Sequence, residues 1–469
     1  MFKSLLDFSC AQGWRGDNNT ICALCVPISR VFAVKGKDGL LIGPASESGQ
    51  PDPDRTGPRK QFGVAMAFVD LFKRQWIRTA VLVAAGAALS GCLPSGFGGG
   101  GSGFRNQGSP FAGASPTPDG EIIGSGSVRV ALLVPQSATG NAGTIGVSFK
   151  NAAALAMSDF PNANIQVLVK DTQGTPQGAQ AAANAALSQG VELILGPVFG
   201  DAVKPVAALA VPRSVPVISF STRTEVATRG AYLLGFLPRD QVYRAAAYAS
   251  QQGKKSFAVL VPNTQPGLIY EGLFREAAAS FGIRVATIAR YELDRTSMQQ
   301  KVAEVAKLSS SIDGIFMPDS AGSVTFIAQL LSAAGLQSPR VLYVGSGQWD
   351  DPKIPAEPAL RGAIYASAPN DRFQQFASRY QQAYGSTPPR NASLAYDAVI
   401  LAAGLTARFG DQKFSQRVLT SADGFAGVDG VFRFNSDGTN TRAMAVYEVQ
   451  SGGARVLSPA PTSLSNRGF

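Results

Sequence analysis

Val128-Arg-Val-Ala-Leu-Leu-Val134, stopped by Pro135, opens the stretch whose reading decides the fold. A nearly continuous run of branched apolar residues fits a strand buried on both faces. Residues 143–158 follow with Val147, Ala154, Leu155 and Met157 at helical spacing. Ile165-Gln-Val-Leu-Val169 reads as a strand, 176–189 as an Ala-rich helix, and Val191-Glu-Leu-Ile-Leu195 as a strand halted by Gly196-Pro197. Residues 201–210 read as a helix with Asp201 as its cap, and Val215-Pro-Val-Ile218 as a strand. Strand and helix alternating at this rhythm predict a parallel sheet with helices on both faces.

A second series has the same rhythm. Phe257–Val261, Arg284–Tyr291, Gly314–Met317 and Val341–Val344 read as strands. Helices are expected at 268–281, 297–309 and 322–334, the first and third ending at Gly282 and Gly335. Helices at about 371–384 and 393–409 come next. Val431–Phe434 and Ala443–Val449 then flank Asn435-Ser-Asp-Gly438, a hairpin signal. The fold class is therefore α/β, with two doubly wound parallel-sheet units in tandem.

The chain has 469 residues, enough for two or three cores. It contains no histidine, which excludes a Ser-His-Asp triad, a Cys-His dyad and a His-ligated metal. Its four cysteines are Cys10, Cys22, Cys25 and Cys92, so the body has neither disulfide nor thiol nucleophile. Cys22-Ala-Leu-Cys25 has no second pair to complete a metal site. There is no GxSxG elbow, so an enzyme would need a Ser-Lys or carboxylate pair. Formal charge is +10, from 42 basic and 32 acidic residues. No dense basic run with interleaved aromatics accompanies it, and nucleic acid is not an expected partner. The expectation is a binding protein with neither catalysis, cofactor nor metal.

The first quarter reads as processing signal and spacer. Residues 1–65 have no sustained period and read as an unstructured upstream extension, translated ahead of the true start. From Met66 a charged segment with Lys73, Arg74 and Arg78 leads into the apolar run Ala80–Leu89, then Ser90-Gly91-Cys92. That is signal-peptide order, and the run is shorter than the ~20 residues of a membrane span. Leu89-Ser-Gly-Cys92 resembles a bacterial lipobox, which implies cleavage before Cys92 and acylation of it. The signal peptide is then 66–91. Leu93 follows where an Asp would signal inner-membrane retention, so either membrane is open. Residues 92–126, rich in Gly, Ser and Pro, read as a flexible tether.

Four segments carry a wider resemblance. They are Pro135–Gly143, Ile194-Leu-Gly-Pro197, Tyr384-Gly-Ser-Thr-Pro-Pro with Ala395–Ala403, and Phe425–Gly438. In that order they resemble the type I periplasmic solute-binding proteins of the branched-chain amino acid (Leu/Ile/Val) receptor group. The resemblance implies two lobes joined by three crossovers, with a small ligand between them and hinge closure as the working motion. The folded part is expected at 127–450: lobe one about 127–237 and 368–425, lobe two about 238–367 and 426–450. Residues 451–469 are expected as a tail.

In such sheets ligands gather beyond the carboxyl ends of the strands. That places Ser137, Thr139, Phe199, Gly200, Ser219, Ser221 and Thr222 in lobe one as candidate ligand-binding residues. Lobe two contributes Tyr270, Asp319, Ser320, Ser346, Gln348 and Trp349. The Ser219–Thr222 loop suits a ligand carboxylate. Gly347 falls about where the family has its ammonium-binding acid, and Asp350 or Asp319 is left to substitute. A pocket of roughly a few hundred Å³ with a free carboxylate is what an amino acid would need.

Two functions suit these features. One is a lipid-anchored periplasmic receptor for a small ligand such as an amino acid, handing it to an ABC permease. The other is a lipoprotein of the same fold that activates penicillin-binding proteins in peptidoglycan synthesis.

Overall fold

The computed structural model describes residues 120–464. The signal peptide, Cys92, most of the tether and the extension before residue 66 lie outside the described residues.

Lobe one begins with β1 (Glu121–Ile123), β2 (Val128–Val134), α1 (Asn141–Asp159), β3 (Ile165–Asp171) and α2 (Pro176–Ser188). It continues through β4 (Leu193–Leu195), α3 (Gly200–Ala210), β5 (Val217–Ser219) and β6 (Ala231–Leu233). These strands form one six-stranded sheet, ordered β1-β3-β2-β4-β5-β6. All pairings are parallel except β1 with β3, which sets Glu121 opposite Val169. Residues 121–123, expected in the tether, are thus the edge strand of the sheet.

The chain then crosses to lobe two. Its elements are α4 (Pro238–Gln251), β7 (Ser256–Pro262), α5 (Gln265–Phe281), β8 (Arg284–Tyr291), α6 (Arg295–Ala306) and β9 (Gly314–Phe316). After them come α7 (Ala321–Ala333), β10 (Leu342–Gly345), α8 (Lys353–Ala356) and β11 (Ile364–Ser367). A second crossing returns to lobe one for α9 (Asp371–Tyr384), α10 (Ala392–Phe409) and α11 (Gln416–Leu419). A separate three-stranded ribbon comes next, β12 (Phe425–Gly427), β13 (Gly430–Phe434) and β14 (Asn440–Arg442). The third crossing leads to β15 (Ala445–Gln450) and β16 (Gly453–Ser458), which complete a seven-stranded sheet ordered β16-β15-β11-β10-β9-β7-β8.

The expected hairpin is redrawn here. Asp437 and Gly438 do turn the chain, but from β13 into β14, while Ala445–Gln450 leaves to pair with β11 in the other sheet. The break is at Arg442, where the alternation of the ribbon ends. Residues 453–458, expected within a tail, pair antiparallel with β15.

Burial explains the layering. One face of the first sheet packs Val130, Leu132 and Val167 against Phe149 of α1 and Leu394 and Val399 of α10. The other face packs Ala131, Leu133 and Ile194 on the Ala-rich stripes of α2 and α3. In lobe two, α6 and α7 cover one face and α4 and α5 the other. Helix α10 is long and apolar enough to cross a membrane among the described residues, yet it is the core helix of lobe one.

Candidate functional site

The three crossings, Leu234–Leu237, Ala368–Asn370 and Ala443–Met444, meet at a cavity of about 1240 Å³ between the lobes. A buried charge cluster ties the crossings together. The Arg442 guanidinium donates to the Leu234 carbonyl at 3.1 Å and lies between the rings of Phe236 and Phe432. Its backbone N–H donates to Asp240 Oδ2 at 2.8 Å. Arg390 donates to the Ala368 and Pro369 carbonyls at 3.2 and 3.0 Å and pairs with the fully buried Asp429 at 2.9 Å. Asp397 accepts from the Val428 N–H at 2.8 Å.

Buried carboxyls here are expensive to ionise. Burial pushes Asp240 up to about 7, against the pull of Arg442. Burial, with the charge of Asp429 beside it, also pushes Asp397 up to about 7. Burial raises Asp350 above the usual carboxylate range, with Arg390 pulling the other way. Burial lowers the Arg442 guanidinium from its ordinary value.

Of the sequence-predicted residues, Thr222, Tyr270 and Gln348 line the cavity. The Tyr270 hydroxyl is pushed up by burial and pulled partly back by hydrogen bonds with Ser346 and Gln348. The others are placed behind the wall or away from it. Ser219 and Ser346 are fully buried, donating to the Pro197 and Pro318 carbonyls at 2.8 and 3.1 Å. Ser221 accepts from the Arg223 N–H at 3.1 Å. Gly200 lies under the Arg223 side chain, which ion-pairs with Asp201. Phe199 is the N-cap residue of α3, and Asp201, expected there, lies within the helix.

Ser137 is engaged with Asp171, whose carboxyl sits below its usual value: burial raises it, and hydrogen bonds from Ser137 and the Gln173 N–H outweigh that. Thr139 is exposed and outside the cavity wall. Asp319 accepts from the Tyr291 hydroxyl and the Ser320 N–H, both at 2.7 Å, and Ser320 is the N-cap of α7. Trp349 is fully buried in the lobe-two core, its ring against Gly345. Of the two acids considered for an ammonium group, Asp350 borders the cavity and Asp319 does not.

The ribbon lies outside the strand exits of the two main sheets. Along β13, Phe432 and Phe434 enter the lobe-one core, while Arg433 and the following Asn435 border the cavity. Across from them Thr439 and Thr441 border it too, with Arg433 paired to Thr441. The signal lies in the sequence: an Arg between two Phe residues on a strand is the period-two mark of one dry and one wet face. Among the described residues no cluster of acidic or thiol groups could hold a metal ion.

The family model for periplasmic binding proteins matches residues 127–454. The chain belongs to that family, and it has the type I fold of the group. A protein from Rhodospirillum rubrum ascribed to branched-chain amino acid ABC transport is similar, at 22% identity and a TM-score of 0.64, over 70% of this chain and 99% of that one. An isoleucine-bound branched-chain amino acid substrate-binding protein from Streptococcus pneumoniae shares 19% identity, with a TM-score of 0.52 over 71% and 99%. A solute-binding protein from Rhodopseudomonas palustris in complex with 3,4-dihydroxybenzoic acid shares 19%, with a TM-score of 0.53 over 71% and 96%. No curated protein matches the sequence.

Proposed function

We propose that this protein is a lipid-anchored periplasmic receptor that takes a small organic acid, of amino-acid or aromatic-acid type, into the cleft between its lobes for ABC import. The observation that carries the reading is the cavity bordered by all three connections between the lobes. At about 1240 Å³ it exceeds the few hundred Å³ an amino acid would need, and hinge closure of a two-lobed fold would shrink it. Relatives of this fold hold isoleucine or a dihydroxybenzoate, both carboxylates. Thr222, Tyr270 and Gln348 are the polar contacts offered to such a ligand, and Asp350, which already faces Arg390 and Ser367, would be shared with an ammonium where the ligand has one.

Thermal-shift titration tests the reading. Leucine, isoleucine and benzoate are the probes. A true ligand at 100 times its dissociation constant stabilises by about 2.7 kcal/mol. A flat response across amino and aromatic acids overturns the receptor reading. Capture of a penicillin-binding protein by the folded body would then carry the other one.

The anchor rests on the lipobox-like Leu89-Ser-Gly-Cys92 and the apolar run before it. Two or more acyl chains hold a protein stably at a membrane, whereas one does so marginally. Cys92→Ser is expected to move the protein from the membrane fraction to the soluble one. Retention of the variant at the membrane would refute the anchor.

A further inference from the structure

Among the described residues six arginines border the cavity. Arg223 pairs with Asp201 and Glu225, Arg239 with Glu276 at 3.3 Å, and Arg390 with Asp429. Arg442 is buried against backbone carbonyls. Arg244 spends its donors on the Met444 carbonyl at 3.1 Å, the Ser458 hydroxyl at 2.6 Å and the Pro459 carbonyl at 3.3 Å. Arg433 is left with one weak partner among the described residues, the Leu464 carbonyl at 3.4 Å from Nη1.

The acids of the cavity wall are engaged elsewhere. Glu225 and Glu276 hold Arg223 and Arg239, Asp350 faces Arg390 and Ser367, and Asp240 accepts from Arg442. Asp437 folds back onto the N–H and hydroxyl of Thr439, a turn contact. Among the described residues the Arg433 guanidinium fork forms no ion pair with a carboxylate, its electrostatic partner being the Asp240 that Arg442 already holds, and it is flanked by the Thr441 hydroxyl and the Asn435 amide. Helix α5 supplies the cavity with an apolar strip, Pro266, Ile269 and Leu273, beside the polar Gln265, Tyr270 and Glu276, and Ile269 is 45% exposed.

We propose that Arg433 is the anchor for the carboxylate of the ligand, an apolar acid whose side chain or ring rests on Pro266, Ile269 and Leu273. A guanidinium fork matches a carboxylate in two parallel charge-assisted bonds, far stronger than a single carbonyl at 3.4 Å. The Leu464 carbonyl is the occupant such a ligand displaces. This assignment rests on the receptor reading and moves the carboxylate site from the Ser219–Thr222 loop to the hinge ribbon.

Calorimetric titration of the full chain with benzoate, benzamide, L-isoleucine and L-isoleucinamide tests it. The wild-type chain is expected to bind each acid more tightly than its amide. Arg433→Gln is expected to weaken the acids by about 10- to 100-fold and leave the amides unchanged. Arg433→Lys, which keeps the charge without the fork, is expected to fall between, and circular dichroism checks that both variants are folded. Acids bound equally by wild type and Arg433→Gln overturn the assignment alone. So do amides bound as well as acids by the wild type. Wild-type protein that binds none of the four overturns the receptor reading, and the assignment with it.

Discussion

Where β5 ends in lobe one, Ser219 turns its hydroxyl back onto the Pro197 carbonyl; where β10 ends in lobe two, Ser346 does the same to Pro318. Each serine also accepts from a backbone N–H two residues on, that of Ser221 at 3.1 Å and of Gln348 at 3.4 Å. The two loops share a latch, then diverge. In lobe one the chain runs into Arg223, which reaches across Gly200 to an exposed ion pair with Asp201. In lobe two it turns over Gly347, whose N–H is held by Gln241 at 2.9 Å, and leaves Gln348 facing the cavity. The latch is a fold device, fixing how a strand leaves the sheet. The residues just beyond it decide whether the loop faces solvent, a partner side chain or a ligand.

The lobes are alike in a second respect, and here the largest effect is expected. Each sends a buried carboxyl toward Arg442, Asp240 from α4 and Asp397 from α10, and both are held at about 7. From about pH 4, where these groups titrate in the unfolded chain, to about pH 7, the folded chain binds protons that the unfolded chain has released. Their contribution to stability therefore falls as pH rises through that window. Asp397→Asn keeps an acceptor for the Val428 N–H and removes the titration. The variant is expected to lose part of this slope, up to about 1.4 kcal/mol per pH unit, and to be more stable than wild type above about pH 7. Urea denaturation across the window, variant against wild type, measures it. The difference is the quantity to read, because lowered acids such as Glu271, held down by Arg290, act with the opposite sign. Asp240→Asn is the matching experiment in lobe two, and a flat difference for both variants would remove the hinge titration.

How much of this is legible in the sequence differs by region in the same way. The sheets are legible because strands such as Val128–Val134 and Phe257–Val261 are buried on both faces, so burial is written as an unbroken apolar run. Three-residue β6 and the edge strand β1 carry too few residues for any period to register. Helix α4 escapes such a reading because Asp240, Gln241 and Arg244 make its buried face polar: they serve the hinge, and a hydrophobic period does not report them. Proximity to strand ends, the rule that selects site residues from sequence, finds loops without saying which way a side chain points. Thr222 and Gln348 face the cleft, while Ser219 and Ser346, hydroxyls like that of Thr222, are used up by the latch. Arg433 lies on no strand exit of either main sheet, so only the alternation along β13 could reveal it.

The smallest effect concerns the latch itself, and it separates the lobes. Removing either hydroxyl leaves its carbonyl with another donor, the Phe220 N–H at 3.1 Å on Pro197 and the Gln348 side chain at 3.0 Å on Pro318. Neither substitution orphans a carbonyl, so on the carbonyl side each costs only the net value of the bond lost. Ser219→Ala also strips the buried Ser221 N–H of its acceptor, whereas Ser346→Ala leaves the N–H of the exposed Gln348 free to meet water. The expected losses are about 1–2 kcal/mol for Ser219→Ala and roughly half that for Ser346→Ala, read from urea midpoints. Because the lobe-two backup is a side chain that also borders the cavity, Ser346→Ala should commit Gln348 more firmly to Pro318 and weaken ligand binding, while Ser219→Ala should leave binding unchanged. Equal stability losses with equal effects on binding would mean that the two loops differ in sequence alone and that the divergence after the latch has no functional weight.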